Sequence, residues 1–136
     1  MKIYLDNVNL LSNSGPNNFA KRLVKGLSLK GHNVTWKKDN PKNYDVSLSF
    51  IEKTKDVRSD RPNVLRIDGI WFKKEEVEAG LNQPLIHSYL SADAVIVQSE
   101  FDSKMIGKFF GDRKRHVIRN GIEIDIPNTI EIADAI

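Results

Sequence analysis

Residues 13–19 read Asn-Ser-Gly-Pro-Asn-Asn-Phe, and this stretch decides the fold class of the chain. It follows an apolar run, Lys2–Leu5, that predicts a β-strand, and it opens an amphipathic helical pattern that ends at Gly31. A loop of small residues between a parallel strand and a helix brings backbone N–H groups to the positive end of the helix dipole, where such folds hold phosphate. The stretch therefore predicts an α/β fold of the nucleotide-binding type, with a plain helix-capping turn as the alternative interpretation.

Strand and helix patterns alternate along the rest of the chain. The predicted strands are Lys2–Leu5, Asn33–Trp36, Asp45–Phe50, Asn63–Ile67, Ala94–Val97 and His116–Arg119. The predicted helices are 16–30, a helix that ends at Ala92 and begins near Lys73 or only at Asn82, and 100–110, which Ser99 caps and Gly111 ends. This alternation predicts a Rossmann-like three-layer α/β/α fold with a parallel sheet in the strand order 3-2-1-4-5-6.

Composition restricts the class of protein. A chain of 136 residues suits one domain, and the absence of cysteine excludes disulfides, thiolate metal sites and a cysteine nucleophile. The formal net charge is +3, although the last fifteen residues carry four acids and no base. The rest of the chain is therefore strongly basic, which indicates either an anionic partner or a well-solvated surface. The apolar run at the N-terminus is too short for a signal peptide or a membrane span.

Polar side chains follow two of the predicted strands. Arg66 and Asp68 lie at the end of the fourth strand, and Gln98 follows the fifth. Because ligands of parallel sheets bind outside the carboxyl ends of the strands, Asp68 is a candidate contact for a substrate hydroxyl, with an ordinary Asp-Gly turn as the alternative. Trp71 and Phe72 come shortly after and form either an aromatic wall for a sugar ring or lipid, or a plug at the edge of the core.

Other chemistries find less support. No pair of His, Asp or Glu residues has convincing metal-ligand spacing, so no metal is expected. The basic run 113–116 is either a solvated face or a contact for phosphate or lipid headgroups. No aromatic residues interleave with the basic ones in the manner of a nucleic-acid-binding motif, so no nucleic-acid partner is expected.

Taken in order, these segments resemble the N-terminal half of a GT-B glycosyltransferase, from the large retaining family that includes sucrose, starch and lipopolysaccharide glycosyltransferases. The resemblance covers about residues 1–123. The segments that carry it include Ser14-Gly15-Pro16-Asn17, Arg66-Ile67-Asp68-Gly69-Ile70, the long block Tyr89–Phe101, and Val117–Glu123.

The resemblance implies two Rossmann-like domains that face each other across a cleft. The N-terminal domain receives a sugar or glycan acceptor, and the C-terminal domain binds the nucleotide-sugar donor, with no metal or other cofactor in catalysis. It implies that three residues of the first loop lie near the donor diphosphate, namely Gly15, Pro16 and Asn17. It also implies an acceptor site that includes the candidate catalytic residue Asp68 together with Arg66, Trp71 and Gln98.

The same resemblance divides the chain into an N-terminal GT-B domain, residues 1–121, and an acidic tail or truncated interdomain linker, residues 122–136. We expect the 136-residue chain to be inactive alone and to need a C-terminal GT-B domain in cis or in trans. A cytoplasmic, membrane-peripheral location is expected, with an anionic membrane surface and a second copy of the chain as further candidate partners. The alternative is a non-catalytic module that binds an anionic ligand, a membrane surface or a partner chain.

Overall fold

The computed structural model describes residues 1–36 and 43–121. Within these ranges the chain forms one parallel sheet of six strands with four helices, which confirms the predicted α/β, Rossmann-like class. The predicted linker 122–136 lies outside the described residues. The strands are β1 (Lys2–Asp6), β2 (Asn33–Thr35), β3 (Val46–Phe50), β4 (Asn63–Ile67), β5 (Ala94–Val97) and β6 (His116–Val117). The helices are α1 (Gly15–Leu29), α2 (Lys74–Glu78), α3 (Gln83–Ser91) and α4 (Glu100–Phe110).

The ends of the helices follow from local chemistry. Gly31 has a φ of 87° just after α1, a conformation that glycine adopts at little cost. The pattern between Lys73 and Ala92 is two helices rather than one, because Gly80 turns the backbone with a φ of 75° between α2 and α3. Helix α4 begins as predicted, with the Ser99 hydroxyl oxygen accepting the backbone N–H of Asp102 at 3.1 Å.

The strand order is β2-β1-β3-β4-β5-β6, so the predicted order 3-2-1-4-5-6 is wrong. Strand β3 lies between β1 and β4 because a buried chain of polar side chains joins the three strands. Ser49 Oγ donates to Asp6 Oδ2 at 2.7 Å, and Asn63 Nδ2 donates to the hydroxyl oxygens of Ser47 and Ser49 at 2.9 Å each. In any other order these buried groups would lose their partners, at about 1–3 kcal/mol for each unpaired group.

Helices pack on both faces of the sheet. Helix α1 covers one face at β1 and β3, where the buried side chains are Ile3, Leu5, Ala20 and Phe50. Helices α3 and α4 cover the opposite face at β4 and β5, where the buried side chains include Leu65, Ile67, Tyr89, Val95, Val97 and Ile106. The chain is therefore a three-layer α/β/α domain whose strand order reverses between β1 and β3.

Open parallel sheets usually bind ligands where the strand order reverses, but here that crevice is closed by the protein itself. The backbone N–H and hydroxyl of Thr54 both donate to the Asp6 carboxylate, and Asn7 Nδ2 donates to the carbonyl of Phe50 at 2.8 Å. Asn7 and Ile51 turn the backbone at the two strand ends with φ of 63° and 71°. The next strand ends along the same edge are those of β4, β5 and β6.

Candidate functional site

Four polar side chains at the carboxyl ends of β4, β5 and β6 form a closed ring of hydrogen bonds, which we call the polar ring. Arg66 Nη1 donates to Asp68 Oδ1, and Arg66 Nη2 donates to Asn120 Oδ1 at 2.6 Å. Asn120 Nδ2 donates to Gln98 Oε1 at 3.0 Å, and Gln98 Nε2 donates to Asp68 Oδ1 at 2.6 Å. Each side chain contacts two of the others, so the four groups hold one another in position.

Parallel pairing of the strands brings these residues together. Arg66 lies opposite Ile96 in the register of β4 and β5, and Val97 lies opposite Val117 in the register of β5 and β6. Residues shortly beyond these positions therefore leave the sheet at the same edge. The structure thus brings together Arg66, Asp68 and Gln98, the polar residues that the sequence singles out.

Arg66 anchors the polar ring to helix α1. Its side chain is only 3% exposed, and its guanidinium lies 3.9 Å from the centre of the Phe19 ring, in the second turn of α1. Burial lowers the pKa of Arg66, an effect that the Asp68 carboxylate only partly opposes. The start of α1 is therefore coupled to the polar ring through one stacked arginine.

The Asp68 carboxyl is the acidic group of the polar ring. Burial raises the pKa of Asp68, while Arg66 and the hydrogen bond from Gln98 act in the opposite direction. Its side chain is 22% exposed, and both ring bonds reach Oδ1, so no donor from the described residues occupies Oδ2. A carboxylate with a raised pKa is a better proton acceptor than an ordinary aspartate, and Oδ2 is available to a ligand hydroxyl.

The loop before α1 is organised by its own side chains. A β-carbon on Gly15 would meet no atom within 4 Å, and Pro16 occupies the first turn of the helix. Asn17 Nδ2 donates to Ser14 Oγ and Asn17 Oδ1 accepts from the backbone N–H of Asn9, both at 2.8 Å. The Asn17 side chain therefore braces the loop. The Lys21 ammonium lies beside the loop, 3.4 Å from both Asn13 Oδ1 and Asn18 Oδ1. The role of these residues toward a donor diphosphate stays a prediction.

Trp71 lies outside the polar ring, on the loop that leaves β4. Its side chain is 48% exposed, while both backbone polar atoms are bound by the buried Asn82. Asn82 Oδ1 accepts from the Trp71 N–H at 3.0 Å, and Asn82 Nδ2 donates to the Trp71 carbonyl at 2.7 Å. The indole is thus presented at the surface by a fixed backbone.

Sequence reasoning missed two members of this site. It selects neither Asn120 nor Phe19 as a candidate site residue. Asn120 follows β6 much as Gln98 follows β5, so the rule that selects Gln98 could have selected it. Phe19 had no such signal, because its stack on Arg66 joins residues far apart in the sequence.

The basic run 113–116 is in large part structural. Arg113 Nη1 donates to the carbonyls of Tyr89 at 2.6 Å and Ala92 at 2.9 Å, at the end of α3. Arg115 Nε donates to Ser103 Oγ of α4 at 3.0 Å. Only Lys114 and His116 of this run are exposed, so the predicted solvated or phosphate-binding face is reduced to these two side chains.

Across the two described ranges, no group of three or more His, Asp or Glu side chains could hold a metal ion. None of the helices formed by these residues is both long enough and apolar enough to cross a membrane. Comparisons of the chain with protein-family models, with curated proteins and with solved structures found no match.

Proposed function

We propose that this chain is the acceptor-side domain of a retaining glycosyltransferase that uses a nucleotide-sugar donor. The observation that carries the proposal is the polar ring, in which Asp68 keeps one carboxylate oxygen available at the carboxyl edge of the sheet. This edge is where α/β folds bind their ligands, and Phe19 couples it to the start of α1. The resemblance of the chain to GT-B enzymes supplies the reaction class.

In this proposal a hydroxyl of the acceptor donates to Asp68 Oδ2. The bonds from Arg66 and Gln98 to Oδ1 hold the carboxylate in one orientation before the acceptor arrives. The exposed amide of Asn120 has a further N–H available for a neighbouring hydroxyl. Convergent polar groups of this kind are what fixes the orientation of a small hydroxylated ligand.

The proposal includes a donor-binding C-terminal domain, in cis or in trans, and a cytoplasmic location. A single Rossmann-like domain cannot enclose the donor, exclude water and hold donor and acceptor together. We therefore expect the purified 136-residue chain to release no nucleoside diphosphate from nucleotide sugars. Robust release that Asp68→Asn abolishes would contradict the acceptor-side assignment.

Titration of simple sugars into isotopically labelled protein tests the proposal by NMR. We expect chemical-shift changes at Arg66, Asp68, Gln98 and Asn120, and we expect Asp68→Asn to remove them while circular dichroism shows the fold retained. Asp112→Asn is the matched control, because Asp112 is a highly exposed carboxylate at the opposite end of α4. Sugars that leave the ring resonances unmoved, or whose effects survive Asp68→Asn, would overturn the proposal.

A second candidate is a non-catalytic module that binds an anionic ligand. The observation that favours it is a pair of guanidinium groups beside one aromatic ring, with Arg66 at 3.9 Å and the exposed Arg22 at 5.8 Å from the centre of Phe19. The same titration separates the candidates. Inorganic phosphate that shifts Arg22 and Arg66, with no response to neutral sugars, would favour the anion-binding module.

A further inference from the structure

An apolar groove adjoins the polar ring on the side of α4. It has a volume of about 170 Å³ and is lined by Gly69, Ile70, Phe72, Phe101, Asp102 and Met105. It begins at the residue after Asp68, and the charge of Asp102 acts on the Asp68 carboxyl. The groove and the polar ring therefore lie next to each other, with Gly69 directly after Asp68 in the chain.

The aromatic walls of the groove are exposed side chains on an ordered backbone. Phe72 is 62% exposed and Phe101 is 71% exposed, which is unusual for side chains of this size. Phe72 follows Trp71, whose backbone is held by Asn82, and Phe101 lies in the first turn of α4, which Ser99 caps. The backbone at both walls is therefore held by hydrogen bonds of the protein itself, so binding need not order it.

Gly69 lines the groove and directly follows Asp68 in the chain. A β-carbon at this position would meet no atom within 4 Å. A larger side chain can therefore be introduced here without a clash against the fold. This makes Gly69 a convenient position at which to block the groove.

We propose that the groove receives the apolar part of an amphiphilic acceptor, a neutral alkyl or aryl group attached to the hydroxylated head that binds at the polar ring. This rests on the proposed function, since the head is the acceptor assigned above. The groove is smaller than the roughly 300–1,000 Å³ of a complete ligand pocket, so it suits a short chain or a single ring as a subsite. Asp102 is the only charged residue among its six, which disfavours an anionic occupant such as a phospholipid headgroup.

A series of alkyl glucosides with one head and increasing chain length, kept below micelle concentration, tests this with the full chain by calorimetry. We expect affinity to rise by about two- to fourfold per added methylene until the groove is full. Phe101→Ala and Gly69→Leu should flatten this dependence. Leu90→Ala, which removes an exposed apolar side chain on α3, should leave the dependence intact.

The outcomes separate this inference from the proposed function. Loss of methyl glucoside binding in Asp68→Asn tests the head site, while the chain-length dependence tests the groove. Suppose that methyl glucoside fails to bind while the affinity for simple alkyl alcohols still rises with chain length and depends on Phe101. That result would contradict the proposed function and would support only an apolar binding site in the groove. Three results would overturn the inference. They are an affinity that does not depend on chain length, binding only to anionic vesicles, and self-association of the chain through the groove, detected by sedimentation.

Discussion

At the scale of single residues, Asp68 is a partly buried carboxyl whose position in the polar ring shifts its proton affinity. Arg66 and Gln98 stabilise its charged form, but burial has the larger effect and raises the pKa of Asp68. The folded protein therefore holds this proton at a pH where the unfolded chain has released it. The contribution of Asp68 to stability is present below its ordinary pKa of 3.8 and is lost as pH rises through the folded value.

We expect the ¹³Cγ resonance of Asp68 to titrate with a midpoint above 3.8. In the unmodified protein, the free energy of unfolding should fall as pH rises through this midpoint. Urea unfolding should show a smaller fall in Asp68→Asn, because the variant has no proton to release. Asp112→Asn, at an exposed position, should leave the fall unchanged. A midpoint at or below 3.8 would contradict the assignment.

Asp6 is a second buried carboxylate, and its role is structural. It accepts hydrogen bonds from Ser49 Oγ and from both the backbone N–H and the hydroxyl of Thr54. These contacts hold the loop after β3 against the end of β1. We expect Asp6→Asn to lower the free energy of unfolding by about 3 kcal/mol, because the amide N–H₂ cannot accept these bonds.

The control for Asp6 is Asp45→Asn. Asp45 is exposed and accepts one bond, from the backbone N–H of Lys2 at 2.8 Å, so we expect a loss below about 1 kcal/mol. Chemical denaturation measures the loss of unfolding free energy in both variants. Equal losses would show that the buried bonds to Asp6 stabilise the protein no more than the one exposed bond to Asp45.

At the scale of elements, the end of α3 depends on a side chain that is distant in sequence. The last carbonyls of a helix have no partner within the helix. Arg113, in the loop between α4 and β6, donates to the carbonyls of Tyr89, Ala92 and Asp93. A cation at this position also complements the negative end of the helix dipole. The loop between α4 and β6 thus holds the C-terminal end of α3 in place next to the sheet.

We expect Arg113→Ala to destabilise the protein by about 1–3 kcal/mol, since it removes charge-assisted bonds to several carbonyls. Lys114→Ala is the matched control, because this neighbouring base is exposed, and it should change stability by less than about 0.5 kcal/mol. Thermal unfolding of both variants measures the difference. If Lys114→Ala lowers stability as much as Arg113→Ala does, the effect comes from the net charge of the basic run and not from the Arg113 bonds to the end of α3.

At the scale of the whole molecule, the polar chain from Asp6 to Asn63 and the two apolar clusters all meet at the central strands. Strands β1, β3, β4 and β5 each have a neighbour on both sides, whereas β2 and β6 are the outer strands of the described sheet. Strand β6 pairs with β5 through only two residues, His116 and Val117. Stability should therefore fall from the centre of the sheet toward both edges.

We expect native-state hydrogen exchange to be slowest at the amides of β1, β3 and β4, and at least about tenfold faster in β2 and β6. Central strands open only with the whole domain, while outer strands can open locally. The measurement is exchange followed by NMR at low denaturant. Amides of β6 that exchange as slowly as those of β3 would show that the sheet opens as a single unit.

The sequence alone predicts most of the elements and part of the site. Every predicted strand is present, two with the predicted bounds and four with a bound that differs by one or two residues, because apolar periodicity is a property of neighbouring residues. The sequence leaves the start of the helix before Ala92 open between Lys73 and Asn82, because Pro84 interrupts the pattern, and the structure has two helices there. Arg66, Asp68 and Gln98 could be selected because the ends of parallel strands meet at one edge.

Only the tertiary structure decided the strand order and the closed polar ring. The place of β3 depends on hydrogen bonds between Asp6 and residues 43 and 48 positions away, and the ring closes through an Arg66–Asn120 bond that spans 54 positions. Local patterns contain no information about which buried polar groups will find each other. That choice is made when the whole chain packs, because each buried donor and acceptor must then find a partner or incur the cost of lost hydration.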